Sequence, residues 1–133
     1  MFSKKFLVTN DFIDQNGHLS EVGYYFYAVQ TVWEKNKVIG INSLLEKLKI
    51  GPIIFNTAIE FKKEVFLDET ININIKFTNI LDKGRKWTRN NEIFKENGDL
   101  SAVVISNGAF FSRETRKVIT PPEEIFKKVF IDD

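Results

Sequence analysis

The sequence predicts an α+β fold in which one antiparallel sheet of about five strands wraps around a single long central helix. Three observations lead there. Apolar residues recur at spacings of three and four through Leu19, Val22, Phe26, Val29 and Trp33, which is one face of a helix. Beyond Pro52 the apolar period becomes two and stays there through the following segments. No internal repeat, low-complexity tract or Pro/Gly-rich linker divides the chain, so residues 1–133 read as one domain. A long amphipathic helix needs an apolar surface to cover, and the sheet that follows supplies it.

The elements follow in order. Phe2–Thr9 reads as a short strand, with Phe2, Phe6 and Val8 on one parity. Residues 10–18 are a loop, because Asn10, Asp11, Asp14, Asn16 and Gly17 are turn formers. The central helix runs from Leu19 to about Ile39, and Gly40 is placed to end it in the left-handed conformation. The aromatic run Tyr24-Tyr25-Phe26-Tyr27 suits a helix buried on every side. Ser43–Leu48 forms a second, short helix that stops near Gly51-Pro52. The next strand carries Ile53, Phe55, Thr57, Ile59, Phe61, Lys63 and Val65 on one parity. In the clearest strand of the chain, Ile71, Ile73, Ile75 and Phe77 alternate with Thr70, Asn72, Asn74 and Lys76. Asp82-Lys83-Gly84 marks a hairpin into a weaker strand, residues 85–95. Glu96-Asn97-Gly98-Asp99 marks another, into the long strand 100–113. Pro121-Pro122 opens a terminal helix over 123–130, with acids in its first turn and lysines later, as the helix dipole prefers.

Composition narrows the chemistry. Lys and Arg number 19 against 18 Asp and Glu, a formal net charge of +1, which gives no global field for nucleic acid or a membrane surface. There is no cysteine, so disulfides, thiolate zinc sites and cysteine nucleophiles are excluded, and a single histidine excludes His-rich metal sites. No metal and no bound cofactor are expected. The first eight residues alternate charged and apolar types without a continuous apolar stretch, and no run is long enough to span a bilayer, so the expected compartment is the cytoplasm. Thirteen phenylalanines are a large apolar load for one small domain and hint at a partner surface.

The loop Asp14-Gln15-Asn16-Gly17-His18 holds the candidate chemistry. It leads into the N-terminus of the central helix, where free N–H groups and the positive dipole end can hold an anion or a developing oxyanion. Gly17 allows close approach to the backbone. Asp14 lies just outside, placed to act as general base or nucleophile, or simply to cap the helix or make a turn. His18 contributes either its ring or only its N–H.

The stretch from Asp14 to Tyr24 resembles the signature of hotdog-fold acyl-CoA thioesterases of the 4-hydroxybenzoyl-CoA thioesterase type, roughly D-x-x-G-H-[VM]-N-x-x-x-Y, with Asp14, Gly17, His18 and Tyr24 in register. The resemblance continues through Trp33-Glu34, Gly40-Ile41, the strand pair at 59–69 and the turn at 115–121. Two positions depart from it: Ser20 stands where the family has Asn, and Leu67 where it has Gly.

The resemblance implies hydrolysis of an acyl-CoA to the free acid and coenzyme A, by a homodimer or a dimer of dimers, with no metal. Asp14 is then the catalytic carboxylate, and the N–H of Gly17 or His18 polarises the thioester carbonyl. Ser20 lines the substrate site, Tyr24 lines the acyl pocket or closes the subunit contact, and Asn56 and Thr57, also candidates for substrate binding, lie on the strand that passes the partner's helix end. Coenzyme A carries phosphates, so basic residues should rim its site. Lys83, Arg85, Lys86 and Arg89 form one local basic cluster around a hairpin, and Arg113, Arg116 and Lys117 form another. Lys83, Arg85 and Arg116 are the candidates for the phosphates. A non-catalytic acyl-binding module on the same fold is the alternative, and a hotdog enoyl-CoA hydratase a more distant one.

Overall fold

The computed structural model describes residues 1–131. Its elements are β1 (Ser3–Leu7), α1 (Glu21–Ile39), α2 (Ile41–Leu48), β2 (Ile50–Phe61), β3 (Thr70–Asn74), β4 (Lys76–Leu81), β5 (Lys86–Phe94), β6 (Leu100–Ser112) and α3 (Glu123–Phe126), which continues as one wider helical turn over 127–131. Among the described residues six antiparallel strands form one sheet in the order β1-β3-β5-β6-β2, with β4 also pairing β5. The sheet curves around α1, the arrangement the sequence predicts.

The sixth strand arises because the clear alternating run breaks at Ile75. Asn74 takes over backbone work there: its side chain donates to Glu92 Oε1 at 2.8 Å and accepts from the Glu92 N–H at 3.0 Å. Its carbonyl accepts from Asn91 Nδ2 at 3.0 Å. β3 and β4 therefore lie end to end along one side of β5. A register shift between Ile54 and Asn56 also interrupts β2, so the single parity read from Ile53 to Val65 is not kept. Phe55 is exposed, while Ile54 packs inward.

The helix differs from its reading in one respect. Its ends are as expected: Ser20 caps the first turn, accepting from the Gly23 N–H at 3.3 Å, and Gly40 at φ 66° closes the last. The buried face, however, is Gly23, Tyr24, Tyr27, Ala28, Thr31 and Lys35. Val22 is 62% exposed, Phe26 40% and Trp33 54%, and Tyr25 is also exposed, so the helix is not buried all round. The apolar stripe is real but points outward. The inward face satisfies its polar atoms locally: the Thr31 hydroxyl donates to the Tyr27 carbonyl at 2.8 Å, and Tyr27 Oη accepts from the Thr9 N–H at 3.4 Å. A hydropathy pattern undercounts Tyr, Thr and Lys, and for that reason it selects the wrong face.

Two apolar clusters hold the helix on the sheet. One gathers Val8, Leu19, Tyr24, Tyr27, Ala28, Ile71, Ile73, Ile93 and Val104 near the start of α1. The other gathers Ile41, Ile50, Trp87, Phe110 and Ile125 under the C-terminal helix, with Phe77 and Phe130 against it. Between them the inner face of the sheet is polar: Arg89 and Asn91 follow Trp87 on β5, and Ser106 follows Val104 on β6. Arg89, which the sequence groups with a basic hairpin cluster, is buried here because its strand parity turns it toward α1.

Candidate active site

The loop before α1 is folded on itself. The Asp14 N–H donates to the His18 carbonyl at 3.0 Å, the Gly17 N–H to the Asp14 carbonyl at 3.0 Å, and the Ser20 N–H to the Phe12 carbonyl at 2.8 Å. Gly17 sits at φ 81°, in the left-handed region that closes this turn. The Asp14 carboxylate contributes as well: Oδ1 accepts from the Asn16 N–H at 2.9 Å. The two local tasks thus separate. Ser20 caps the helix, while Asp14 shapes the turn and keeps Oδ2 free of it.

Oδ2 lies 3.5 Å from His18 Nε2, and His18 Nδ1 lies 3.0 Å from Glu64 Oε1. The imidazole therefore bridges two carboxylates. Glu64 belongs to the segment after β2, and its backbone carbonyl accepts a hydrogen bond from the Lys95 ammonium. Tyr24 reaches the same segment from α1. Its hydroxyl donates to the Lys63 carbonyl at 3.3 Å and meets Ser101 Oγ at 3.3 Å. Burial pushes the Tyr24 phenol above its ordinary value, against the opposing effect of the Ser101 hydrogen bond. A protonated phenol there is a fixed donor, not a base.

These groups surround a cavity of about 600 Å³, lined by Asp14, His18, Ser20 and Tyr24 together with Val22, Phe61, Lys62, Lys63 and Glu64. The free N–H groups at the start of α1 face the same end of the helix. The His18 N–H meets no acceptor among the described residues, whereas that of Gly17 is already committed to the turn. A carboxylate, an imidazole and an uncommitted N–H beside a half-apolar cavity suit attack on a carbonyl whose oxygen becomes negative.

The other sequence candidates fall elsewhere in the chain. Asn56 Oδ1 accepts from Asn107 Nδ2 at 2.8 Å, and Thr57 Oγ1 meets Ser106 Oγ at 2.9 Å; both lie on β2 outside the cavity lining. Lys83 lies in the β4–β5 turn with Arg85 beside it, and Arg116, over the Phe111 ring at 5.1 Å, lies beyond β6. Lys62, Lys63 and Glu64 line the cavity; they lie in the 59–69 stretch that carries the resemblance but are not among the site candidates read from the sequence. Their signal was the charged run that ends an otherwise apolar strand. Among the described residues no group of three His, Asp or Glu is placed to hold a metal ion, and no helix is long and apolar enough to cross a membrane.

The family described as the thioesterase-like superfamily matches residues 7–129. No curated protein sequence matches the chain. Among solved structures, a Staphylococcus aureus protein in complex with CoA superposes with a TM-score of 0.86 at 19% identity, over 96% of this chain and 80% of that one. YbaW from Escherichia coli, called a probable thioesterase, gives 0.86 at 15% over 97% and 96%. A 1,4-dihydroxy-2-naphthoyl-CoA thioesterase from Synechocystis gives 0.82 at 12% over 96% and 94%. At these identities the likeness is one of fold, and the fold is the hotdog.

Proposed function

This chain belongs to the thioesterase-like superfamily, and from that membership we propose that it hydrolyses an acyl-CoA thioester to the free acid and coenzyme A. The observation that carries the reading is Asp14, held by its own turn beside an uncommitted N–H at the mouth of α1, on a cavity whose lining includes Leu19, Val22 and Phe61. The solved structures of the same fold that are named for CoA complexes or CoA thioesterases support the choice of substrate.

In this mechanism the thioester carbonyl lies over the start of α1 and its oxygen accepts from the His18 N–H. Asp14 acts on the carbonyl carbon, either by taking a proton from an attacking water or by attacking directly to give an anhydride that water then opens. Each route breaks the C–S bond, and the coenzyme A thiolate leaves and takes up a proton. Neither route needs a metal or a bound cofactor. Lys62 and Lys63 offer positive charge at the cavity rim for the coenzyme A phosphates.

The working unit of the proposal is a homodimer. β2 is an edge strand whose outer side pairs with nothing among the described residues, and Ile53 and Phe55 are exposed along it. A second copy of the same edge would cover both. In that dimer Asn56 and Thr57 lie at the subunit contact, and Lys83, Arg85 and Arg116 keep their assignment to phosphates as residues of the other subunit. Light scattering should give twice the chain mass or a multiple of it; a monomer at micromolar concentration overturns this part.

Thiol release from a panel of acyl-CoAs, wild type against Asp14→Asn, tests the activity. Asparagine keeps an oxygen for the Asn16 N–H, so the turn survives while the base or nucleophile is lost. The expected fall is about 10²–10⁴-fold. Equal rates sink the role of Asp14. Tight acyl-CoA binding without turnover by the wild type supports the non-catalytic module, in which Ser20 serves only as the helix cap.

A further inference from the structure

Arg89 is 7% exposed on the inner face of β5, yet it makes no hydrogen bond or ion pair among the described residues. Its Nε is sealed from solvent with no acceptor. A guanidinium stays charged in a protein, and desolvating it without an anion is unfavourable. Burial pulls its pKa below the ordinary value, with the nearby Tyr25 acting the other way. Its surroundings are ordered. In the sheet register Arg89 stands opposite Ser106, and Ser106 opposite Thr57, so the three share one row on the face toward α1. The Ser106 and Thr57 hydroxyls hydrogen-bond at 2.9 Å, and Thr57 brings the row out at the free edge of β2.

The row is connected to the candidate active site along one strand face. Phe61 lines the Asp14 cavity, and Ile59 and Thr57 follow it on the same side of β2, opposite Ala102, Val104 and Ser106 in turn. The path from Phe61 to Thr57 is about 13 Å at roughly 3.3 Å per residue. Along it Phe61 and Thr57 are exposed and Ile59 is half-buried, while Ala102, Val104 and Ser106 beside them are fully buried. An acyl chain whose carbonyl lies at Asp14 would lie over these β2 side chains and end at the Thr57 hydroxyl, in the row that leads to the Arg89 guanidinium.

We propose that Arg89, Ser106 and Thr57 form the recognition site for a carboxylate at the distal end of the acyl group, so that the preferred substrates are CoA thioesters of dicarboxylic acids. The proposal rests on the thioesterase reading above and specifies its substrate class. Arginine suits the role because its planar fork meets a carboxylate with two parallel N–H donors.

The test uses matched CoA thioesters of equal chain length: glutaryl against valeryl, adipoyl against hexanoyl, suberoyl against octanoyl. For the best-fitting pair the wild type should favour the acid-ended member in kcat/KM by about tenfold or more, the scale of a charge-assisted hydrogen bond. Arg89→Met should abolish that preference while leaving kcat/KM for the neutral member close to wild type. Arg89→Lys should keep part of it. Thr57→Val, at the end of the row on the free edge of β2, should weaken the preference with the oligomer unchanged by light scattering, and serves if Arg89→Met does not fold. Parity in the wild type overturns the proposal, as does a preference that survives Arg89→Met. Conversion of the Arg89→Met protein to a smaller oligomer also overturns it, since the missing counter-ion then comes from a second copy. If the wild type releases no thiol from any member, the thioesterase reading fails separately. Calorimetric binding of glutaryl-, adipoyl- and suberoyl-CoA against their neutral partners then decides: an acid preference lost in Arg89→Met upholds the site, and equal binding overturns it.

Discussion

Replacing Gly23 by alanine sets two known effects against each other, and the structure decides between them. Gly23 lies in the first turn of α1, where the helix presses on the loop that carries Asp14. An alanine Cβ there would meet Leu19 Cδ1 at 2.4 Å and Phe12 Cβ at 2.7 Å, where ordinary contact begins at 3.4 Å. On an open helix surface the same change gains about 0.8–1.0 kcal/mol. Overpacking a well-filled core costs about 1–3 kcal/mol. The clash wins here for a geometric reason. Leu19 is 2% exposed, and Phe12 Cβ is bonded directly to the backbone and cannot swing aside. The net loss should be up to about 2 kcal/mol, seen in circular dichroism as a melting point lower by about 3–4 °C for each kcal/mol lost in a domain of this size. The loop must also shift. Phe12 and Leu19 flank Asp14 and His18, and a displacement approaching 1 Å at a reacting group can cost about 100-fold in rate. Thiol release should therefore fall by more than the small loss of folded protein explains. A melting point that rises by the open-helix gain would show that α1 does not rest on this loop as described.

Two further changes separate structure from chemistry. Ser20→Ala removes the cap on the Gly23 N–H and should cost about 1 kcal/mol in urea unfolding, whereas Ser20→Asn, the residue of the resembled signature and an equally good cap, should leave stability unchanged; identical midpoints for all three proteins would deny the cap any weight. Glu92 accepts from Lys76 Nζ at 2.6 Å and Asn74 Nδ2 at 2.8 Å, and these hydrogen bonds, the Lys76 one foremost, hold its carboxyl below the ordinary 4.5 despite partial burial. A depressed carboxyl stabilises the fold above its unfolded pKa and loses that contribution as pH falls through the folded value. The stability gap between wild type and Glu92→Gln should therefore be full at pH 7 and shrink as the pH is taken below about 4; a gap that does not change with pH would refute the assignment.

Much of this fold was legible because its signals are local. Gly40 had to be left-handed, Ser20 and the residues after it had to start a helix, and Ile71 and Ile73 had to face a core. What escaped depends on contacts far along the chain. The outward stripe of Val22, Phe26 and Trp33 looks like a core face because periodicity reports that apolar residues share a side, not which side the sheet occupies. The true inner face relies on Tyr24, whose hydroxyl is satisfied by Lys63 and Ser101 from two distant segments. The site divides the same way. Asp14, Gly17 and His18 form one turn and can be read together. Glu64 joins them only through a hydrogen bond across 46 positions of sequence. Arg89 looked like a hairpin lysine's neighbour until strand parity turned it inward.

That inward turn bears on how the interior should be understood. Among the described residues the buried side-chain atoms left without a partner are Trp87 Nε1, Arg89 Nε and Asn91 Oδ1. They are alternate residues of one strand, on one face, running from Trp87 in one apolar cluster toward the other. Each such group costs on the order of 1–3 kcal/mol, so three together approach the net stability of a whole domain, about 5–15 kcal/mol. Imperfections that merely accumulate would be scattered, and apolar replacements of similar volume would remove them at little cost. Their alignment along β5, where the sheet faces α1 and the row to Thr57 begins, is what a strip that must receive polar ligand atoms would show. Local rules are expected to fail together where function requires it. If the strip were only structural, Arg89→Met should leave the discrimination between acid-ended and neutral acyl groups as it was and raise the melting point; if it receives a carboxylate, the stabilised protein loses that discrimination.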